Sequence, residues 1–135
     1  MKIFLDTNVL ASAFTSRGLC ADLLREIIAS EKLVVSRPLF AELRRTLLGK
    51  FRASGDYADE MIAFLERDSL QDPAGDLLPI RIKDKDDIVI LSSAVHGKAD
   101  VFVTGDKEVQ SVKKIGGMEI LSPREFWDKT RKKKG

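Results

Sequence analysis

The sequence is poor in the residues that form disulfides and in long membrane-spanning runs. Cys20 is the only cysteine among 135 residues, so the chain cannot form an internal disulfide. No apolar run approaches the ~20 residues that span a bilayer, and Asp6 interrupts the short apolar run at the N-terminus. We therefore expect neither an export signal nor a membrane partner. These absences predict a cytoplasmic protein.

Composition and charge fit one globular domain and permit binding to a nucleic acid. Hydrophobic residues make up 44% and charged residues 33% of the chain, which is ordinary for a folded protein and argues against disorder. The length of 135 residues suits one domain with its own core. The net charge is only +2, but such modest totals can conceal basic clusters that permit an RNA or DNA partner. The clusters are Arg44, Arg45, Lys50 and Arg52, then Arg81, Lys83 and Lys85, then Arg131 to Lys134.

Short apolar strands alternate with amphipathic helices along the whole chain. The predicted strands cover residues 2–5, 33–36, 77–80, 100–104 and 118–121, the third at a sheet edge because it contains a proline. The predicted helices cover residues 9–14, 21–30, 38–48, 55–70, 87–96 and 107–113, and a capping-box pattern at 122–125 opens a last helix. Residues 72–76 read as a loop, residues 1–130 as one domain and residues 131–135 as a basic C-terminal tail. We predict a three-layer α/β/α sandwich with a central parallel sheet of about four to five short strands.

Two acids follow predicted strands at the position where open α/β sheets bind ligands. The run Ile3–Leu5 leads without a break into Asp6, which is the pattern of a strand buried on both faces. Asp106 closes the strand predicted at residues 100–104 in the same way. Ligands of such sheets bind in the crevice outside the carboxyl ends of the strands. We therefore expect both acids to lie in one crevice.

Two further acids are predicted to face this crevice from helices. Glu42 lies on the border of the apolar stripe of its helix, and Asp87 precedes Ile90 by three residues and so points inward. Together with Asp6 and Asp106 they would repel one another unless some are protonated or a cation binds. Oxygen ligands without histidine or cysteine suit Mg²⁺ or Mn²⁺. A divalent ion beside a basic groove can orient a phosphodiester and activate water, so the pattern predicts a metal-dependent nuclease.

The ordered set of these motifs resembles the PIN domain family. The motifs are Asp6-Thr7-Asn8 after a strand, Glu42 on the third helix, Asp84-x-x-Asp87 with Leu91 and Ala94, Val103-Thr104-Gly105-Asp106, and Ser122-Pro123-Arg124-Glu125-Phe126. The likeness covers essentially the whole chain, and it is strongest to small bacterial and archaeal PIN proteins described as VapC-type toxins. The resemblance implies a PIN-like nuclease domain acting as an endoribonuclease, the toxin of a type II toxin–antitoxin pair. Its implied partners are an RNA substrate, a cognate antitoxin protein and a second copy of the chain, which would dimerise through helices between Ala21 and Leu70.

The resemblance also assigns roles to individual residues. The implied catalytic and Mg²⁺-binding acids are Asp6, Glu42, Asp87 and Asp106, with Mn²⁺ as an alternative ion. Asn8 and Thr104, with Asp84 beside them, would orient these carboxylates, and we further expect Arg44, Arg45 and Lys85 to hold RNA phosphates. The chain departs from the family pattern at Ile88, where relatives often carry a polar or acidic residue. Asp84 and Asp86 therefore stay open as alternatives to Asp87.

Each acid also has a simpler structural interpretation. Asp6 and Asp106 could be N-caps of the helices that follow them, and Asp86 is expected to cap the helix that begins near it. Glu42 could be a residue at the border of the apolar stripe that pairs with Arg45 or Thr46 on the same helix. The sole histidine, at the end of a predicted helix, is assigned no catalytic role.

Three other functions compete with the nuclease prediction. The first is a non-catalytic PIN-like module that binds RNA or a protein, against which the four-acid set argues. The second is a phosphatase with an aspartate nucleophile, which needs an acid two residues after the first; this chain has Asn8 there. The third is a phosphoacceptor receiver domain, whose lysine after a late strand is replaced here by Thr104-Gly105-Asp106.

Overall fold

The protein is built on a six-stranded sheet flanked by seven helices, and the computed structural model describes residues 1–71 and 75–134. The strands are β1 (Lys2–Leu5), β2 (Lys32–Val35), β3 (Leu70–Gln71), β4 (Val101–Val103), β5 (Lys114–Ile115) and β6 (Met118–Leu121). The helices are α1 (Thr7–Thr15), α2 (Leu19–Ser30), α3 (Arg37–Leu48), α4 (Gly55–Asp68), α5 (Lys85–His96), α6 (Lys107–Val112) and α7 (Pro123–Lys134). None of these helices combines the length and apolar character that crossing a bilayer requires. Residues 72–74 of the predicted loop and Gly135 of the predicted tail lie outside the described residues.

The strand order places β1 and β4 side by side at the centre of the sheet. The order is β3-β2-β1-β4-β6-β5, with five parallel strands and β5 antiparallel to β6 at one edge. From β1 the chain moves to one side for β2 and β3, then returns to the other side for β4 and β6. The junction of β1 and β4 is therefore a topological switch point, where open α/β sheets form their ligand crevice.

The central strands are buried on both of their faces. Ile3, Phe4 and Leu5 are each 0% exposed, although successive side chains of a strand point to opposite faces of the sheet. Phe4 of β1 lies opposite Phe102 of β4, and their rings stack with centroids 5.3 Å apart. Helices must therefore cover both faces, and the predicted three-layer α/β/α sandwich is confirmed.

Serine side chains fix the beginnings of several helices. Ser36 directly follows β2, and its Oγ accepts a hydrogen bond from the Leu39 amide at 3.3 Å, which starts α3 at the carboxyl edge of the sheet. At α7 the Glu125 amide donates to Ser122 Oγ at 3.0 Å, and the Ser122 amide donates to Glu125 Oε1 at 2.9 Å. The predicted capping box is thereby confirmed.

The predicted edge strand at residues 77–80 was wrong, because this segment pairs with no strand of the described sheet. Pro79 has no amide hydrogen to give to a ladder. The Leu78 amide donates instead to Ser92 Oγ at 2.9 Å, and the Ile80 amide donates to the Leu78 carbonyl only two residues back, at 2.8 Å. The two-residue strands β3 and β5 were missed because they are too short to show alternation.

The predicted basic tail continues the last helix rather than leaving it. Helix α7 extends through Arg131 as far as Lys134. The Arg131 guanidinium lies 3.8 Å from the centroid of the Trp127 ring, and its Nη2 lies 3.6 Å from Glu26 Oε2 on α2. These contacts tie the last turns of α7 to α2, which explains why the helix does not end before the lysines.

Candidate functional site

Asp6 lies at the switch point with both carboxylate oxygens held. It follows β1 and is 8% exposed, and its own amide donates to the Val103 carbonyl at 2.9 Å, which extends the β1–β4 ladder. Oδ1 accepts a hydrogen bond from the Thr7 amide at 2.8 Å, so Asp6 is also the N-cap of α1. Oδ2 accepts a hydrogen bond from the Thr104 hydroxyl at 2.7 Å. The carboxylate is therefore fixed in orientation at the centre of the carboxyl edge.

Thr104 connects Asp6 to Asp106 across the switch point. Its side chain is 0% exposed, and the hydroxyl that donates to Asp6 accepts a hydrogen bond from the Asp106 amide at 3.0 Å. Asp106 is exposed and caps α6, since its Oδ1 accepts from the amides of Glu108 at 2.8 Å and Val109 at 3.3 Å. The capping interpretation of both acids is thus confirmed, and within the described residues the second oxygen of Asp106 accepts no hydrogen bond.

Asp87 is the acid at the start of α5 that reaches this centre. The prediction that Asp86 caps the helix was wrong: Asp84 is the cap, and its Oδ1 accepts from the Asp86 amide at 2.8 Å. Asp84 and Asp86 are exposed, whereas Asp87 is half-buried. Its charge interacts with those of Asp6 and Asp106 at the strand ends. Of the three candidate acids, Asp87 is the half-buried one, and the charges of both strand-end acids raise its pKa; its catalytic role stays a prediction.

Glu42 approaches the same centre from α3. It is half-buried beside Leu43, which is 0% exposed, and its charge acts on both Asp6 and Asp87. Within the described residues, Glu42 forms neither a hydrogen bond nor a salt bridge with Arg45. Four acids carried by separate segments thus interact at one point of the fold.

Burial raises the pKa of Asp6 above its ordinary value of 3.8. The hydrogen bonds from the Thr104 hydroxyl and the Thr7 amide oppose this effect, because they favour the charged carboxylate. The negative charges of Glu42 and Asp106 raise the pKa further. Burial and neighbouring negative charge therefore make the ionised form of Asp6 less favourable than that of an aspartate in water.

Burial also raises the pKa of Asp87, from 3.8 to about 7. The further causes are repulsion by the carboxylates of Asp84, Asp6, Asp106 and Glu42. Every charge named among these causes is negative, and within the described residues no salt bridge involves Asp87. Strongly shifted acids that share one crevice are a physical sign of a functional site.

The residue types of the cluster fit a hard divalent cation, although their positions do not close a coordination shell. All four donors are carboxylates, the ligands that Mg²⁺ and Mn²⁺ prefer. Among residues 1–71 and 75–134, no group of three or more histidine, cysteine, aspartate or glutamate side chains is arranged to hold an ion. Within the same residues, no salt bridge neutralises any of the four acids. The cluster therefore offers charge and donor chemistry for an ion, with side chains that would have to converge around it.

A comparison with protein-family models decides the family. The model described as PIN domain matches residues 2–108, which is more than half of the 135 residues. The chain belongs to the PIN domain family. The match includes all four acids of the cluster and the Thr104 that joins two of them. The family resemblance drawn from the sequence motifs is thereby confirmed.

Solved structures share this PIN domain's fold at low sequence identity. VapBC2 from Rickettsia felis, bound to a DNA fragment from their promoter, is 19% identical with a TM-score of 0.63, covering 90% of this chain and 98% of that chain. VapBC-1 from nontypeable Haemophilus influenzae is 19% identical with a TM-score of 0.64, covering 92% and 99%. FitAcB from Neisseria gonorrhoeae is 17% identical with a TM-score of 0.55, covering 90% and 97%. At these identities the likeness establishes the fold, and no curated protein sequence matched the chain.

The other residues predicted to assist the PIN domain's acids lie at its surface. The exposed residues are Asn8, Arg44, Arg45 and Lys85. The Asn8 Oδ1 accepts a hydrogen bond from Lys50 Nζ at 3.4 Å, and Arg44 Nε lies 3.0 Å from Asp59 Oδ1 on α4. Of the residues predicted to orient carboxylates, Thr104 is the one that bonds to an acid of the cluster. The assigned roles stay predictions.

Two contacts of the site were not predicted from the sequence. Gln110 Nε2 donates to the Thr104 carbonyl at 2.8 Å and so holds the turn between β4 and α6. Lys50 contacts the turn that follows Asp6. The position of Gln110, four residues after Asp106, could have suggested a side chain that reaches back over the first turn of α6. Nothing in the local sequence indicated that Lys50 would return to Asn8 from 42 residues away.

Proposed function

We propose that this PIN domain is a metal-dependent endoribonuclease that hydrolyses phosphodiester bonds of RNA. One observation carries the proposal: the Thr104 hydroxyl joins Asp6 and Asp106 at the switch point of the sheet, and Glu42 and Asp87 add negative charge near this pair. Like charges that are partly buried cost free energy, so they do not stabilise the fold. A cluster of this kind is understandable as a binding site for a cation that offsets its charge.

The proposed cofactor is Mg²⁺, with Mn²⁺ as the alternative. Asp6, Glu42, Asp87 and Asp106 would hold the ion through their carboxylate oxygens. When bound, the ion would supply Lewis-acid polarisation of the phosphodiester and a water of lowered pKa. The raised pKa values of Asp6 and Asp87 support this assignment, because a nearby cation would favour the charged form of each acid.

The residues of the chain contribute orientation and proton exchange. The Thr104 hydroxyl and the Thr7 amide fix both oxygens of Asp6, which keeps this donor in place without reorganisation during reaction. Asp87 has no such side-chain restraint among the described residues, and its carboxylate, kept charged by a bound cation, would accept a hydrogen bond or a proton from the attacking water. We assign to Asp6 and Asp87 the positioning of the attacking water.

An RNA cleavage assay tests the proposal. Purified protein is incubated with labelled single-stranded RNA in Mg²⁺, in Mn²⁺ or in EDTA. We expect cleavage with a divalent ion and none in EDTA, and at least a roughly 100-fold lower rate in the Asp6→Asn variant, because an essential electrostatic group is removed. The matched control is Asp128→Asn, which removes an exposed acid on α7. Full activity of a folded Asp6→Asn variant would contradict the proposal.

We also propose that the enzyme is the toxin of a type II toxin–antitoxin pair and acts in the cytoplasm. The fold shared with the VapBC and FitAcB structures supports this assignment, as does the sequence resemblance to VapC-type toxins. The partner would be a cognate antitoxin protein that covers the acidic crevice. Induced expression of the chain alone should arrest bacterial growth, while the Asp6→Asn variant should not. If cells expressing the wild type and cells expressing the Asp6→Asn variant grow equally, the toxin assignment is contradicted.

A homodimer is proposed on the same resemblance. The assigned region, between Ala21 and Leu70, contains α4, and a groove of ≈ 480 Å³ between α1 and α4 is lined by the half-buried side chains of Phe14, Met61 and Phe64, with Glu60 and Arg67 beside them. Apolar grooves of this kind favour a protein partner. Sedimentation equilibrium of the purified chain should give twice the monomer mass. A monomer at tens of micromolar would contradict the proposal.

A non-catalytic RNA- or protein-binding module is the second candidate. One observation favours it: within the described residues, no three acids are arranged to hold an ion. Such a module should bind RNA equally well with Mg²⁺ or with EDTA, and it should not cleave. Cleavage that EDTA abolishes would eliminate this candidate, and binding without cleavage in either Mg²⁺ or Mn²⁺ would select it.

A further inference from the structure

Lys50 brings a positive charge to the turn that follows the buried acid. Its Nζ donates to the Oδ1 of Asn8 at 3.4 Å, although the two residues are 42 positions apart. Asn8 lies in the first turn of α1, two residues after Asp6. The ammonium group is therefore held at the rim of the acidic crevice, next to the segment that carries its most buried carboxylate.

The connection between α3 and α4 fixes the backbone on which Lys50 stands. The Phe51 amide donates to the Thr46 carbonyl at 3.2 Å, and the Ala53 amide donates to the Leu47 carbonyl at 2.8 Å. These bonds fold the connection back over the last turn of α3. The Phe51 side chain is half-buried and packs against the core. Lys50 thus precedes an anchored residue and is exposed at a fixed place.

The charge of Lys50 is not used within the fold. Among the described residues, no salt bridge involves Lys50, and its contacts are the neutral amide of Asn8 and the Phe51 ring, whose centroid is 5.7 Å from Nζ. The charges that shift the pKa values of Asp6 and Asp87 all come from carboxylates, so Lys50 is not their counter-ion. By contrast, Arg44 of the same basic cluster is paired with Asp59. Lys50 is the member of that cluster that combines an unpaired charge with a contact to the site.

We infer that Lys50 binds a phosphate of the RNA backbone beside the acidic cluster, an inference that rests on the proposed ribonuclease function. A lysine ammonium is a compact point charge that suits a phosphate oxygen. Asn8 lies two residues after Asp6, so a phosphodiester bound at the carboxylates of the switch point lies beside the turn that Lys50 contacts. Lys50 offsets the repulsion between this incoming anion and the acids. It joins Arg44, Arg45 and Lys85 among the residues expected to hold RNA.

RNA binding without cleavage isolates this contribution. Fluorescence anisotropy of a labelled single-stranded RNA, measured in EDTA at several salt concentrations, gives the dissociation constant and its salt dependence. For Lys50→Ala we expect the dissociation constant to increase by about fivefold to tenfold. The slope of the logarithm of affinity against the logarithm of salt concentration should be smaller by about 0.7, because one phosphate contact is lost. Lys50→Arg should restore most of the affinity, since it keeps the charge. The matched control is Lys32→Ala, which removes an exposed lysine from the opposite edge of the sheet.

The outcomes separate this inference from the proposed function. A dissociation constant of Lys50→Ala equal to that of the wild type, or a loss no larger than that of Lys32→Ala, would overturn the role of Lys50 and leave the nuclease proposal standing. Absence of RNA binding by the wild type would also overturn it. Selective loss in Lys50→Ala with rescue by Lys50→Arg would support it, even for RNA that the protein binds and does not cleave.

Discussion

The two ends of the parallel strands differ in the charges that lie next to one another. The amino edge is the side of the sheet where these strands begin, and the carboxyl edge is the side where they end. At the amino edge, the ammonium group of Met1 lies 3.0 Å from Glu31, and the Lys2 amide donates to Asp100 Oδ2 at 2.8 Å. At the carboxyl edge, Asp6 meets other carboxylates, and within the described residues no salt bridge offsets them. The amino edge thus has an ion pair and a carboxylate held by a backbone amide, while the carboxyl edge collects groups of the same sign.

This difference separates stability from function. Pairs of opposite charge near the surface contribute modestly to folding, and their loss should change little else. A cluster of like charges raises the free energy of the folded state, so its retention in this fold is best explained by a ligand. Substitutions at the carboxyl edge should therefore affect activity strongly, and some should leave the metal-free protein more stable.

The largest effect on stability within this comparison is expected for Thr104→Val. The substitution keeps the shape of the side chain and removes the hydroxyl that bonds to both Asp6 and Asp106. We expect the free energy of unfolding to fall by about 2 kcal/mol, because two polar groups lose a partner. Urea denaturation of the variant measures this, with Thr104→Ser as the control that keeps the hydroxyl. Unchanged stability of the valine variant would show that the edge is not held as described.

A smaller effect is expected from pH in the absence of metal. The pKa of Asp87 is 3.8 in an ordinary setting and about 7 in the folded protein, so the fold binds a proton that the unfolded chain has released between these values. The free energy of unfolding should therefore fall as pH rises through this range, by about 1 kcal/mol after allowance for solvent screening of a half-buried group. Denaturation in EDTA between pH 4 and pH 8, roughly the range set by these values, compares the wild type with Asp87→Asn.

The Asp87→Asn variant should lose part of this pH dependence and be the more stable protein at the upper end of the range. The same variant should cleave RNA poorly, because the lost carboxylate belongs to the proposed ion site. If the free energy of unfolding of this variant depends on pH as that of the wild type does, then the pKa of Asp87 is not raised in the folded protein.

The smallest effect is expected at the amino edge. Glu31→Gln removes the partner of the Met1 ammonium group, with both side chains about one quarter exposed at 24% and 25%. We expect a loss of about 0.5 kcal/mol in the free energy of unfolding and no change in RNA cleavage. Thermal unfolding and the cleavage assay measure the two effects. A large change in cleavage would break the contrast between the edges.

The sequence predicted the parts of this fold that local pattern controls. The run before Asp6, the capping box at Ser122 and the inward spacing of Asp87 each depend on neighbours a few residues away, and the structure places them accordingly. The alternative function of Asp6 and Asp106 as helix caps also proved correct. A carboxylate has about four lone-pair sites on its two oxygens, so an oxygen that accepts a hydrogen bond can still bind a ligand and one role does not exclude the other.

The parts that escaped prediction depend on tertiary contacts. The segment at residues 77–80 has the composition of a strand, but a serine hydroxyl on α5 and local turns take its amides. Asp84 rather than Asp86 caps α5. This was missed because composition alone does not locate the start of a helix to within two residues. The contact of Lys50 with Asn8 joins positions far apart in sequence, which no local pattern reveals.

The central claim is that the four acids form one site for a divalent ion. Thermal unfolding of the wild type and of an Asp6→Asn, Asp106→Asn double variant, each titrated with Mg²⁺ and Mn²⁺, tests it most directly. An ion that binds only the folded state must raise the unfolding midpoint, so we predict a saturable rise in the wild type that the double variant lacks. An equal rise in both proteins, or no rise in the wild type, would contradict the claim.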